Sequence, residues 1–200
     1  MKILTLSEKR KQIAEAKKRK KAKSPSQEEL IRLLEQYQTR QYDDAEKLAV
    51  YITQEFPYHH FGWKILGAIL GQTSRISEAV NANQKSVELA PQDPETRYNL
   101  GIMLQKLGRL AEAEASYRQA IVLKSDYAEA HSNLCVVLHM NGDIDSGLKS
   151  LEKANNIDPD LQNSHIILAM LKARKALGIT EFTADNISNL SHSSEQFPQP

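Results

Sequence analysis

One period governs this chain. Leu66-Gly67, Leu100-Gly101, Leu134-Cys135 and Leu168-Ala169 recur every 34 residues. Pro57, Pro91, Ser125 and Pro159 keep the same interval, as do Ala45, Ala79, Ala113 and Gly147. Several independent columns sharing one period across the chain make chance a poor explanation. A period of this length describes a stack of like supersecondary units, each unable to bury its apolar face alone.

Each unit reads as two helices. In residues 94–127, Leu100, Met103, Leu104 and Leu107 fall at helical spacing and form one apolar stripe. Gly108 interrupts it, and Leu110, Ala113, Tyr117, Ala120 and Ile121 form a second stripe. The Gly101 and Ala113 columns call for small residues, because two helix backbones must approach closely there. Proline near the end of each unit stops the second helix, since it lacks an N–H and clashes with the preceding turn. The fold class expected is all-α.

At this point the chain resembles the tetratricopeptide-repeat (TPR) family. The residues that carry the resemblance are Trp63, Leu66, Gly67, Ala79 and Pro91, then Leu100, Gly101, Gly108, Ala113, Tyr117 and Ala120, then Leu134, Gly142, Ala154 and Pro159. The chain departs from the pattern where Arg97, His131 and His165 stand at a first aromatic column, Asn83 at a second, and Ser125 at a proline column. The resemblance implies an α-solenoid of helix-turn-helix repeats wound into a right-handed superhelix. Clear units are expected at 60–93, 94–127 and 128–161, after a divergent unit at 26–59 that keeps mainly Tyr42, Ala45 and Pro57. A closing helix at 162–178 ends at Gly178, and completes a TPR domain spanning 26–178.

The resemblance also implies a binding surface. In the family the first helix of each unit lines a concave wall. On it would stand Lys64, Tyr98, Asn99, Ile102, Lys106, Asn133, Val136, His139, Met140 and Arg174, together with Ile167 and Met170. Amides can bond a peptide backbone and aliphatic groups can take its side chains. Asn99 and Asn133 share one column, which resembles the asparagine ladder of O-linked GlcNAc transferases; Ile65 and Ile167 flank it, so the ladder has two rungs. Another TPR group grips a C-terminal carboxylate with lysine, asparagine and arginine. Lys64 and Asn99 match two of those positions, whereas Ala68, Glu129 and Asn133 do not match the others.

Charge is unevenly spread. Residues 1–25 carry ten Lys/Arg and two Glu and form a basic arm. Residues 26–178 are mildly acidic, and the polar tail at 179–200 has three acidic residues and no Lys/Arg. The tail reads as a disordered linker. The arm lacks any aromatic residue to stack on bases, which disfavours specific nucleic-acid binding.

Nothing in the sequence points to catalysis. There is no Gly-rich phosphate loop, HExxH or nucleophile elbow. No cofactor or metal site is expected: His131 and His165 share a packing column, and Cys135 stands alone in the small-residue column. No apolar run is long enough to span a bilayer, and no secretory signal precedes the repeats. A single cysteine fits a reducing, cytoplasmic setting. The reading is a non-enzymatic scaffold or adaptor for a protein or extended peptide, with no small-molecule substrate. The alternative is the substrate-recognition region of a larger O-linked glycosyltransferase, sulfotransferase or 2-oxoglutarate/iron-dependent oxygenase whose catalytic part lies beyond residue 200.

Overall fold

A computed structural model describes residues 24–161 together with 167, 168, 171 and 172. Most of the basic arm, the tail, most of the closing helix with Gly178, and Arg174 and Met170 lie outside the described residues. The described residues hold eight α-helices and no strand: α1 (Gln27–Gln38), α2 (Tyr42–Glu55), α3 (His60–Gln72), α4 (Ile76–Leu89), α5 (Pro94–Lys106), α6 (Leu110–Leu123), α7 (Ala128–Met140) and α8 (Ile144–Ile157). They divide into two compact units, the first ending at Leu123 and the second beginning at Lys124.

In the first unit, successive helices pair antiparallel as α1–α2, α3–α4 and α5–α6, and each second helix also packs on the next first helix. The first helices α1, α3 and α5 touch in series and build one wall. Local chemistry starts these helices. Ser26 and Glu29 form a reciprocal capping box on α1, with Ser26 Oγ accepting from the Glu29 amide at 3.2 Å and the Glu29 carboxylate accepting from the Ser26 amide at 2.7 Å. Asp93 caps α5 just ahead of Pro94. The core is aliphatic: Leu33, Ala45, Ala49, Ile52, Ile69 and Ala79 are wholly buried. Burial of each large aliphatic side chain among them contributes about 1.5–3 kcal/mol.

The repeat also recurs in the backbone. Arg40, Ser74, Gly108 and Gly142 are the described residues with positive φ, at 60°, 62°, 72° and 85°. They stand 34 residues apart in the turn that joins the two helices of a unit. Glycine is the usual solution to that turn, and two units manage it without one.

A third recurrence explains the departures at the first aromatic column. Trp63 donates its indole N–H to the Pro57 carbonyl at 3.0 Å. One period on, Arg97 Nε donates to the Pro91 carbonyl at 3.1 Å. In the second unit, His131 Nε2 lies 3.1 Å from the Ser125 carbonyl, which requires the proton on Nε2. The column needs a bulky side chain with an N–H that closes the preceding turn, and three chemically different residues supply it.

In the second unit α7 pairs with α8. Cys135, Leu148, Leu151, Ala154 and Leu171 form its core, with Ile167 and Leu168 packed against it. Ile167, placed on the binding wall by the resemblance, therefore faces apolar core. Burial pushes the Cys135 thiol up to about 12, so it is an inert packing group.

Candidate peptide-binding wall

The wall of the first unit holds a cleft of about 200 Å³ where α1, α3 and α5 meet. Lys64, Asn99, Ile102 and Lys106, four of the residues expected from the sequence, converge on it. The spacing explains this: Asn99, Ile102 and Lys106 sit at i, i+3 and i+7 of α5 and share a face. Tyr37 and Gln72 join them at the cleft.

Lys64 is already engaged. Only 12% of its side chain is exposed, and its ammonium sits 3.1 Å from Asp93 Oδ2 and 2.5 Å from Glu95 Oε2. Asp93 Oδ1 also caps the Glu95 amide, and Oδ2 accepts from the Thr96 hydroxyl at 2.7 Å. Burial opposes ionisation of Asp93, but the Thr96 hydroxyl and the Lys64 ammonium outweigh it and hold the carboxyl below its ordinary range. With two carboxylates on one ammonium, this end of the cleft does not present a free cation to an acidic tail. Lys106, at the last turn of α5, is exposed.

The other expected residues lie elsewhere. Tyr98 is half-buried and lays its ring on Tyr117, with centroids 5.9 Å apart, outside the cleft. Asn133, Val136, His139 and Met140 stand on α7 in the second unit, where Met140 is exposed and the other three are half-buried. Arg174 lies outside the described residues. Sequence reasoning missed Asn83. It comes from α4, a second helix, yet borders the cleft; its place in an aromatic column was the available signal. At the start of α3, the His59 and His60 rings stack 5.9 Å apart. Burial lowers both pKa values; for His59 the charge of His60 adds to it, and for His60 Lys64 adds while Asp93 opposes.

Among the described residues no cluster of three metal-ligating side chains occurs, and no helix is long and apolar enough to cross a membrane.

Comparison with known proteins agrees with this architecture. Two tetratricopeptide-repeat family models match, at residues 82–115 and 103–142. No curated protein matches at a significant level. Solved structures similar to the chain include MamA, at 21% identity and TM-score 0.67, covering 72% of this chain and 84% of MamA. YrrB, described as a TPR protein with an unusual peptide-binding site, is 23% identical with TM-score 0.61, covering 66% of this chain and 68% of YrrB. The first TPR of Spaghetti (RPAP3), solved with the HSP90 peptide SRMEEVD, is 19% identical with TM-score 0.57, covering 58% of this chain and 93% of that one.

Proposed function

Since this chain is a tetratricopeptide-repeat protein with the all-α solenoid fold of that family, we propose that it is a non-enzymatic scaffold that binds a protein segment in extended form along its first-helix wall. The observation that carries this reading is the convergence of Lys64, Asn99, Ile102 and Lys106 on one cleft between α3 and α5. Asn99 can donate to and accept from a peptide bond. Ile102 offers apolar contact, and Lys106 attracts acidic groups nearby. Peptide binding by YrrB and by the first TPR of Spaghetti supports the reading. On α7, Asn133, Val136, His139 and Met140 offer the same kinds of group, and the proposal extends to them.

The test begins with peptides selected from a random library on the full chain. Asn99→Ala with Lys106→Ala should weaken their binding by roughly 1–3 kcal/mol, since each net hydrogen bond contributes about 0.5–1.5 kcal/mol. Asn133→Ala reports separately on α7. Arg118→Ala, on second helix α6 and paired with Glu114, is the control. Full affinity in the Asn99/Lys106 double variant, measured by calorimetry, would remove the wall from the mechanism.

A further inference from the structure

Two differences between repeats accompany the cleft. In α5–α6, Tyr117 packs on Gly101 so closely that a Cβ there would stand 2.6 Å from Tyr117 Cε1. The Tyr117 hydroxyl then donates to Gln105 Oε1 at 2.8 Å. One period earlier the same pair of columns holds Asn83 and Gly67, packed as closely, since a Cβ at Gly67 would stand 2.7 Å from Asn83 Cγ. Asparagine brings no ring to the site. Gly71, one period before Gln105, brings no side chain either. The cleft opens at this place, walled by Ala68, Gly71, Ile102 and Met103, with Asn83 at its border.

Asn83 is wholly buried, and neither its Oδ1 nor its Nδ2 has a hydrogen-bond partner among the described residues. Buried amides are ordinarily satisfied, because leaving one unpaired is costly. The terminal torsion of asparagine is soft, so the amide can turn toward a group entering the cleft.

We propose that this cleft is a pocket for a tyrosine side chain of the bound segment, its ring against Ile102 and Met103 and its hydroxyl on the Asn83 amide. The inference rests on the peptide-binding reading above and names what the wall selects. A phenol both donates and accepts, as the amide does. A ring of this size is what Tyr117 places against the equivalent glycine in the next repeat. Phenylalanine would leave the amide unpartnered. Glutamine would pair with it but lose more rotamer freedom than a side chain with two torsions. A phosphorylated tyrosine is disfavoured, because a phosphate placed on the wholly buried Asn83 amide would carry its charge out of water.

The full chain is titrated with p-cresol and, separately, with toluene, following backbone amides by NMR. Saturable shifts at Gly71 and Ile102 are expected with p-cresol, at an affinity about tenfold above that of toluene. Asn83→Tyr, which copies the Tyr117–Gly101 pair, should abolish them while keeping the fold. Ala68→Leu is a second plug should Asn83→Tyr fail to fold. The library selection described above should return a fixed tyrosine on the natural chain and lose it on the plugged variant. Absence of saturable p-cresol shifts, equal shifts in the plugged variant, or toluene binding as well as p-cresol would each overturn the pocket. Selected peptides that lack a fixed tyrosine yet weaken with Asn99→Ala and Lys106→Ala would overturn the pocket alone. Peptides indifferent to those two changes would overturn the groove reading, whatever p-cresol does.

Discussion

Ser74→Gly should stabilise this protein, although it removes atoms and adds no contact. Ser74 has φ 62°, in the left-handed region. An L-residue there suffers a clash of Cβ with the backbone that costs about 1–2 kcal/mol. Glycine escapes that clash but loses more chain entropy on folding, an offset of about 0.4–1 kcal/mol. The balance favours glycine by roughly 0.5–1 kcal/mol. The site isolates this effect well. Ser74 is exposed and makes no side-chain hydrogen bond among the described residues, so nothing else is lost. The same columns at Gly108 and Gly142 show that space is not at issue, since a Cβ at either would meet nothing within 4 Å. Arg40→Gly should act alike, since Arg40 has φ 60° in the equivalent turn. For a chain of this size each kcal/mol moves the melting temperature by about 2–4 °C. Thermal and urea unfolding followed by far-UV circular dichroism would measure it. The converse change, Gly108→Ala, should destabilise by about 1 kcal/mol. A loss of stability in Ser74→Gly, or a neutral Gly108→Ala, would refute the backbone argument.

Two other perturbations test the packing and the charges. Gly101→Ala drives a methyl group into the Tyr117 ring and should destabilise by roughly 1–3 kcal/mol, visible in the same unfolding curves; no change would mean that the helices separate freely there. The His59 and His60 pKa values are lowered, so below about pH 6.5 the unfolded chain binds more protons than the folded one and stability falls with pH. Melting temperatures between pH 7.5 and 5 should show this slope in the natural chain and flatten in the double variant His59→Gln with His60→Gln. Asp93 has the opposite chemistry and a later onset: its carboxyl is held low, so its contribution is present above about pH 3.9 and is lost only as the pH falls further through the folded value.

Much of this fold is legible in one dimension because a solenoid is nearly one-dimensional. Each helix touches mainly its neighbours in sequence, so a period of 34 residues carries the pairing of the helices, and the small residues at Gly67, Gly101 and Cys135 mark where they press together. The Asn99, Ile102 and Lys106 face follows from helical spacing alone. Four features required the tertiary structure. Arg97 and His131 look like losses at an aromatic column until their N–H groups are seen to close the same turn as Trp63. Residue type does not reveal that this column is read through a hydrogen-bond donor. Arg40 and Ser74 look like ordinary loop residues, because a left-handed φ is a property of the chain path and not of the side chain. Lys64 reads as a free cation in sequence, but Asp93 and Glu95 lie about thirty residues further on, and only the stacking of α5 on α3 brings their carboxylates to its ammonium. Asn83 belongs with these. A shortened side chain in a packing column means either a collapsed core or an opening, and the positions of Gly67, Gly71 and Met103 around it, which sequence alone does not place, decide for the opening.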